Sequence, residues 1–328
     1  MIRSARRYMR KNPTLVELEA LIAHAYHRIR AFWLSRLSDE EFAQRSHIRA
    51  TGKPLNLANP QTFDEKQWWL KVNYRNPIMS QCTDKVAVRG YVESKGLGDL
   101  LHPVLGVYSS PKEINWALLP SQFYIKTNNS SATNIRCGEL QTFNIKQACR
   151  LLKLYLRRNH YALSREWNYR DITPRIMVEP IIETDGEDGL IDYRFFCSYG
   201  KCHGIFVDID TADAAGAHRE DARRNVYDTN WKLLDVKVSR PRIQDRVLEK
   251  PAMLERMVQV AEILSEPFPF CRVDLYNPTG NKIIFGEITF FHAGGNNIME
   301  PEEYELILGE WVDLSRLVRS GKPEGRVV

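Results

Sequence analysis

The chain has 328 residues, with 46 Lys and Arg against 41 Asp and Glu, and a formal net charge of +5. Hydrophobic residues make up 43% and aromatic residues 10%, which is ordinary for a globular protein and excludes intrinsic disorder. A net charge of +5 is too small to indicate a nucleic-acid partner. The length is enough for about two domains of roughly 150 residues each.

The sequence shows no sign of a segment that crosses a membrane. No stretch approaches the roughly 20 apolar residues that a membrane-spanning helix needs. The basic N-terminus, Met1–Lys11, lacks a following apolar run, so it does not resemble a secretory signal. The six cysteines are scattered without a Cys-x-x-Cys pair, which predicts reduced thiols and a cytoplasmic location.

The first predicted element is a helix over residues 14–45. Its apolar residues recur at spacings of three and four, and its other face is basic, with Arg28, Arg30 and Arg36. We interpret this element as a helix that packs on the core and exposes its basic face to solvent. The alternative is a basic amphipathic helix that lies on the inner face of an anionic membrane.

The remaining elements mix helices with antiparallel hairpins. Helices are predicted over residues 65–73, 144–158, 251–264 and 301–317, and strands over 122–127 and 175–182. Two hairpins are predicted at residues 192–208 and 272–289. Because strands and helices do not alternate regularly, we predict an α+β (mixed α/β) fold. The absence of a Gly-x-Gly-x-x-Gly after a strand, and of a P-loop, excludes those nucleotide-binding motifs.

The second hairpin contains the residues most informative about chemistry. Asp274 and Glu287 lie on its two arms, and period-two alternation allows both carboxylates to share one face with Arg272, as diagonal neighbours. Two carboxylates this close repel each other unless a cation or proton lies between them. Oxygen ligands combined with substrate phosphates suit Mg²⁺. The pattern favours a phosphate-handling metal site, and the alternative is an exposed hairpin with scattered charges.

Several cationic residues outside this hairpin are candidates for binding an anionic substrate. Lys126 ends an apolar strand before a polar loop, and Lys85 stands at a predicted helix start. Arg194 shares a face with Asp192 in the first hairpin, and Arg224 lies in a charged segment. On periodicity alone, solvated surface cations are the commoner explanation for these positions.

Several rare strings occur in one order and resemble the TupA-like family of ATP-grasp enzymes over roughly residues 50–315. The strings are Leu55-Asn-x-x-Asn-Pro-x-Thr-Phe-x-Glu-Lys66-x-Trp-Trp69, Leu163-Ser-Arg-Glu-Trp-x-Tyr169, Asp192-Tyr-x-Phe-Phe-Cys197, Arg224-Asn-x-Tyr-Asp228 and Phe268-Pro-Phe-x-Arg-Val-Asp-Leu-Tyr276. This resemblance implies an ATP-grasp fold in which two α+β subdomains clasp ATP. It implies a helical extension and connector over 1–60, a catalytic core over 61–318 divided near 178/179, and a tail over 319–328.

The resemblance also implies roles for individual residues. Phosphate contacts would come from Lys85 and Lys126, and adenine contacts from the strand region with Val178, Glu179 and Ile181. Mg²⁺ would be bound by Asp274, Glu287 and Thr289. Charge developing during phosphoryl transfer would be balanced by Arg272, Arg194 and Arg224.

The implied activity is that of an ATP- and Mg²⁺-dependent ligase. A carboxylate would be activated as an acylphosphate, which an amine or similar nucleophile then attacks. The implied setting is synthesis of a cell-surface polysaccharide of the capsule, exopolysaccharide or teichuronopeptide type. The partners would be small or glycan-linked acid and amine substrates, together with polysaccharide-assembly enzymes.

Two departures from the family pattern leave alternatives open. Thr289 stands where ATP-grasp ligases usually have Asn, and residues 129–132 replace a loop that is usually glycine-rich. The first alternative is a glycan kinase that uses the same ATP site. The second is a glycosyltransferase that uses Asp208-Ile209-Asp210, and the third is a non-catalytic nucleotide-binding scaffold.

Overall fold

The structure is a computed structural model, and it describes residues 13–131, 133–184, 189–213, 216, 219 and 221–318. The predicted tail and the basic segment Met1–Lys11 lie outside the described residues, as do parts of the charged segment before Arg224. The described helices are Pro13–Leu34, Asp39–Thr51, Phe63–Asn73, Pro77–Thr83, Val88–Ser94, Ile145–Leu156, His160–Ser164, Leu254–Ser265, Tyr304–Gly309 and Ser315–Val318.

Two antiparallel sheets organise the chain. The first has the strand order β1-β4-β2-β3, with β1 Gly106–Tyr108, β2 Phe123–Thr127, β3 Ile135–Cys137 and β4 Ile176–Glu179. The second has the order β10-β9-β5-β6-β7, with β5 Asp192–Ser198, β6 Lys201–Ile209, β7 Arg223–Tyr227, β9 Cys271–Tyr276 and β10 Ile284–Thr289. A small ribbon pairs β8 (Lys237–Val238) with β11 (Met299–Glu300). Both predicted hairpins form, and the mixed α+β prediction is confirmed.

Each sheet has its own apolar core. The inner side chains of the second sheet, such as Phe195 and Val273, belong to the largest buried cluster, against which the helix Leu254–Ser265 packs. The first sheet has a smaller cluster that includes Ile125 and Val178. The two sheets therefore have separate cores. The predicted division near 178/179 falls at the end of β4, the last strand of the first sheet along the chain, and stays a prediction.

The prediction of one helix over residues 14–45 is wrong, because the structure has two helices separated by residues 35–38. Pro13–Leu34 ends before Ser38, whose side chain accepts from the backbone N–H of Glu41 while the Glu41 side chain accepts from the Ser38 backbone. This reciprocal capping box starts the second helix, Asp39–Thr51.

The apolar stripe of the first helix also differs from our interpretation. Its bulky residues, such as Ile22 and Ile29, are exposed instead of packing on the core. The opposite, half-buried face packs against Ile145–Leu156 and His160–Ser164. Among the described residues, no helix is both long enough and apolar enough to cross a membrane.

The helix Phe63–Asn73 fixes the loop that follows β10. Thr62 caps its first turn in a second capping box. The buried carboxylate of Asp64 accepts hydrogen bonds from the backbone N–H and the side-chain amide of Asn297, both at 2.6 Å. The buried ammonium of Lys71 donates to the Gly294 carbonyl at 2.7 Å. These bonds hold the end of the strand that carries Glu287.

The packing of β6 generates a first prediction. Gly204 faces Trp311, and an added Cβ would lie 2.3 Å from the indole ring. We expect Gly204→Ala to lower the free energy of unfolding by about 1–3 kcal/mol, because the core must shift to admit the methyl group. Urea denaturation measures the effect.

The matched control is Gly90→Ala. Gly90 is an exposed residue of the helix Val88–Ser94, and an added Cβ meets no atom within 4 Å. We expect this variant to raise the free energy of unfolding by about 0.4–1 kcal/mol, since alanine restricts the unfolded chain. Equal stability of Gly204→Ala and wild type would contradict the packing.

Candidate active site

A cleft of about 570 Å³ receives side chains from both sheets. Of the residues singled out in the sequence, it is lined by Lys85, Lys126, Glu179, Ile181, Arg194, Asp274 and Glu287. Four further candidates, Val178, Arg224, Arg272 and Thr289, are not among its lining residues. The cleft size lies within the range of small-molecule sites. Residues far apart in sequence therefore converge on one space.

The two acidic residues of the β9–β10 hairpin face each other directly. Glu287 is the register partner of Asp274, whereas alternation suggested diagonal neighbours. The register shifts between Phe285 and Glu287, so Gly286 forms a β-bulge that aims the following side chain. A Cβ at Gly286 would lie 3.0 Å from the Asp274 carbonyl oxygen, so this close approach favours glycine.

Arg272 lies behind this pair and binds both members. Its Nε and Nη2 donate to the two carboxylate oxygens of Asp274 at 2.6 and 2.5 Å, and Nη2 also donates to Glu287 Oε1 at 2.9 Å. Thr289 Oγ1 donates to the same Glu287 oxygen at 3.0 Å. Arg272 thus offsets the repulsion between two adjacent carboxylates and fixes their orientation.

The surroundings shift the pKa values of the two acids in opposite directions. Burial raises the pKa of Asp274 to about 6, although Arg272 and Arg194 oppose the shift. Burial also acts on Glu287, but Arg272 and Lys85 outweigh it and lower the pKa of Glu287 to about 2. The Glu287 side chain is 46% exposed in the cleft. Glu287 is therefore a carboxylate at neutral pH that a ligand can reach.

A second ion-pair cluster lies beneath the cleft, around the fully buried Asp208. Arg224 donates to both of its oxygens at 2.5 and 2.7 Å, and Arg194 and Arg240 each approach at 2.8 Å. Burial raises the pKa of Asp208, but the three arginines outweigh this and lower it well below its usual range. Arg194 also faces Asp274 at 3.8 Å, which joins this cluster to the acid pair.

This burial contradicts the glycosyltransferase alternative. That alternative needs Asp208 and Asp210 to coordinate a metal together. Asp208 is inaccessible and fully engaged by arginines, while Asp210 is paired with Arg223 at 2.8 Å. The Asp-x-Asp pattern here belongs to the structural ion pairs at the end of β6.

His292 connects the two arginine groups and was not identified from the sequence. Its Nδ1 lies 2.8 Å from Arg272 Nη1, and its Nε2 lies 3.4 Å from Arg224 Nη1. Burial and the surrounding arginines lower the pKa of His292 well below 6.5, so the ring is neutral. A neutral imidazole has one acceptor nitrogen, and the shorter contact assigns it to Nδ1.

The two lysines border the cleft on the side of the first sheet. Lys126 forms an ion pair with Glu179 at 2.7 Å, so two of the site residues predicted from the sequence contact each other directly. The Lys85 ammonium donates to the Ser130 carbonyl at 3.1 Å, and burial lowers its pKa. Lys85 and Glu287 influence each other's pKa, so this lysine acts electrostatically on the acid pair.

The polar loop after β2 is braced by its own side chains. Asn129 donates through Nδ2 to the carbonyls of Tyr155, Leu156 and Arg158, at the end of the helix Ile145–Leu156. Asn128 accepts from the Arg175 backbone N–H at 2.6 Å. Asn128 and Asn129 therefore hold the loop in place, and Ser131 and Asn134 from this segment reach the cleft.

Val178 contributes differently from its neighbours. Its side chain is buried in the core of the first sheet, and its carbonyl accepts from the Leu105 backbone N–H at 2.8 Å. Glu179 and Ile181 line the cleft instead. Alternation along β4 explains this difference, since neighbouring side chains point to opposite faces.

The cleft has further lining residues that sequence reasoning missed. Tyr276 follows Arg272 and Asp274 at period two, so alternation could have indicated it. His102, whose Nε2 lies 3.0 Å from the Pro180 carbonyl, has no comparable sequence signal. It reaches the cleft only through the folding of the chain.

Comparison with known proteins defines the class. The profile of the TupA-like ATP-grasp family matches residues 65–313, so the chain belongs to this family. No curated protein matches the chain.

Solved structures that resemble the chain include ligases. D-alanine–D-alanine ligase from Bacillus anthracis has a TM-score of 0.43 and 16% identity, covering 78% of this chain and 76% of that one. L-amino acid ligase from Bacillus licheniformis has a TM-score of 0.42 and 14% identity, covering 65% of this chain. The match spans only 44% of that enzyme's length. Likeness at this level says nothing about which reaction this chain catalyses.

The donor set of the cleft fits the ATP and Mg²⁺ that ATP-grasp enzymes use. Asp274 and Glu287 offer opposed oxygen ligands, and Lys85 and Lys126 offer ammonium groups for phosphates. Within the described ranges, no group of three or more His, Cys, Asp or Glu is arranged to hold a metal ion. The remaining ligands would be phosphate oxygens and water, which is usual for Mg²⁺.

The buried cluster generates a prediction about acid stability. The unfolded chain protonates Asp208 near its ordinary pKa of about 3.9, whereas the folded chain resists protonation. Asp208 therefore contributes stability above that pH, and this contribution is lost as the pH falls. We expect Asp208→Asn to lower the free energy of unfolding by about 3–5 kcal/mol at pH 7 and to flatten its decline below about pH 5.

Chemical denaturation between pH 3 and 7 measures both effects. Asp171→Asn is the control, because Asp171 is exposed and pairs with the exposed Arg170. An Asp208→Asn variant whose unfolding free energy follows the wild-type pH profile would refute the assigned role.

Proposed function

We propose that this chain joins a carboxylate to an amine or similar nucleophile at the expense of ATP. The observation that carries the proposal is the cleft in which the opposed carboxylates of Asp274 and Glu287 meet the ammonium groups of Lys85 and Lys126. A pair of acids with neighbouring cations is suited to ATP phosphates with a divalent ion. Family membership supports the same class of reaction.

The proposed reaction has two steps. An oxygen of the substrate carboxylate attacks the γ-phosphorus of ATP, and the bond to the ADP oxygen breaks. The amine nitrogen then attacks the acyl carbon, phosphate leaves, and the nitrogen loses a proton. The protein contributes by positioning the reactants and neutralising charge, since phosphoryl transfer needs little covalent chemistry from side chains.

Each cleft residue has a distinct task in this proposal. Lys85 and Lys126 bind and orient the phosphates, and Glu179 and Ile181 lie where they can border the nucleotide base. Asp274 and Glu287 would hold Mg²⁺, which supplies neutralisation of phosphate charge when bound. Arg272 is a positioning residue, because it touches both carboxylates and not the cleft.

The position of Arg194 supports a direct part in the reaction. Arg194 lines the cleft beside Asp274, so its guanidinium can approach a transferring phosphoryl group. Arg224 is buried against Asp208 and would act through Arg194 and His292. Thr289 would act through Glu287, to which its hydroxyl donates.

The finer part of the proposal concerns the pathway. We propose that the acid or the amine belongs to a cell-surface polysaccharide precursor. The support is the resemblance of the rare strings to the TupA-like family and the match of its profile over residues 65–313. Assembly enzymes of such a polysaccharide would be the partners.

Removal of either acidic residue tests the metal role. We expect Glu287→Gln and Asp274→Asn to reduce Mg²⁺-dependent ATP turnover by at least about 100-fold, since each removes an anionic ligand. Glu287→Gln is the more decisive variant, because its side chain is 46% exposed and its loss leaves Arg272 paired with Asp274.

Turnover is measured as ADP release in the presence of candidate acids and amines, with folding checked by thermal denaturation. Asp171→Asn is the matched control on the surface. Full turnover by both cleft variants would reject the metal role. Phosphate release that needs both acid and amine supports ligation, whereas phosphate retained on a sugar supports a kinase. Nucleotide binding without turnover supports a scaffold.

Competition between a proton and Mg²⁺ at Asp274 generates a pH prediction. Since the pKa of Asp274 is raised to about 6, its carboxylate is progressively protonated below that pH. We expect the Mg²⁺ concentration for half-maximal turnover to rise about tenfold per pH unit below pH 6, and to be constant above pH 7. Mg²⁺ titrations at several pH values measure this, and a pH-independent midpoint would contradict it.

A further inference from the structure

The first helix, Pro13–Leu34, exposes an unusual set of side chains. Its bulky apolar residues are between 52% and 62% exposed, and they are Leu18, Leu21, Ile22, Tyr26, Ile29, Phe32 and Trp33. Single exposed apolar residues are common on proteins, but a contiguous patch marks an interaction surface. We call these seven residues the apolar face.

The positions of these residues place them on one side of the helix. At 100° per residue they fall within an arc of about 140°, and the helix is about 33 Å long. The half-buried residues on the other side include Ala20, Ala23 and Ala31, which allow close packing against the protein. The helix therefore turns most of its large apolar residues outward, the reverse of an ordinary surface helix, and its half-buried side combines these alanines with polar residues such as His24 and His27.

The charges around the apolar face are mostly positive. Arg28 and Arg36 are exposed, and the Arg36 guanidinium lies 4.6 Å from the Phe32 ring centre and 4.8 Å from that of Trp33. Of the helix's two acidic residues, Glu17 is turned towards the protein, where it pairs with Arg150 at 2.5 Å, and Glu19 is half-buried at the edge of the apolar face. The preceding residues Met1–Lys11 add five basic residues and no acidic one. The rim of the apolar face thus complements an anionic partner.

We propose that this helix docks the protein flat on an anionic membrane surface. The apolar face would enter the boundary between headgroups and acyl chains, and the arginines would meet lipid phosphates. Tyr26, Phe32 and Trp33 are aromatic residues of the kind enriched at this depth. A second copy of the chain fits less well, because two such faces would bring their arginines together. This inference is independent of the proposed ligase activity.

Vesicle flotation of the full chain tests the proposal. We expect binding to vesicles of phosphatidylcholine mixed with phosphatidylglycerol, and much weaker binding to phosphatidylcholine alone. The variant with Ile22→Glu and Ile29→Glu is expected to lose about tenfold or more in partitioning per substituted isoleucine. The matched control carries Leu118→Glu and Val247→Glu, at side chains that are 81% and 91% exposed elsewhere. It is expected to bind like wild type.

Electrostatics and self-association are tested separately. Arg28→Gln with Arg36→Gln is expected to weaken binding to the anionic vesicles, and added salt to weaken binding of the wild type. Failure of the wild type to bind, or equal binding by the isoleucine variant, would overturn the proposal. A dimer in sedimentation velocity that the isoleucine variant dissociates, without vesicle binding by the wild type, would assign the face to a second copy instead.

Discussion

The contact of one buried guanidinium with two opposed carboxylates is the constraint on which the site depends. Asp274 and Glu287 face each other across a hairpin, and Arg272 binds both from behind. Without that cation, two negative charges at this spacing would repel and turn apart. The bulge at Gly286 and the hydroxyl of Thr289 complete the orientation of Glu287. The cleft thereby presents a preorganised pair of oxygen ligands.

Beneath the cleft, positively and negatively charged side chains are equal in number. The side chains of Arg194, Arg224, Arg240 and Arg272 face four carboxylates, those of Asp192, Asp208, Asp274 and Glu287. Buried ion pairs seldom add net stability, because desolvation offsets their attraction. Their value here is geometric, since each bidentate contact fixes a side-chain direction. The ammonium groups of the lysines and a bound divalent ion would then supply the excess positive charge that polyphosphate requires.

Two N-terminal helices serve different purposes in this architecture. Phe63–Asn73 supports the site, because Asp64 and Lys71 hold the loop after β10. Pro13–Leu34 packs a mixed alanine and polar side on the protein and presents large apolar residues outward. A ligase that acts on membrane-attached precursors would gain proximity from such a helix. The catalytic and docking proposals nonetheless rest on separate residues and can fail separately.

Local sequence patterns predicted many of the elements described above. Alternation and turn residues predicted both hairpins, and the same period placed Asp274 and Glu287 on one face. The period did not predict the bulge that sets them directly opposite each other. Val178 was expected among the adenine contacts, whereas alternation with Glu179 places its side chain in the core. Spacing likewise predicted a helix near residue 14 and its apolar stripe. It could not tell which face the protein covers, because that depends on the helices at 145–164.

The sequence by itself determined the α+β class, the resemblance to TupA-like ATP-grasp enzymes and seven of the residues that line the cleft. Periodicity and short strings carry this information because they are properties of single elements. Only the tertiary structure decided that Arg272 supports the acids from behind, that Asp208 is enclosed by arginines, and that His292 bridges two of them. These contacts join residues from different strands and loops, and their distances arise only when the sheets pack.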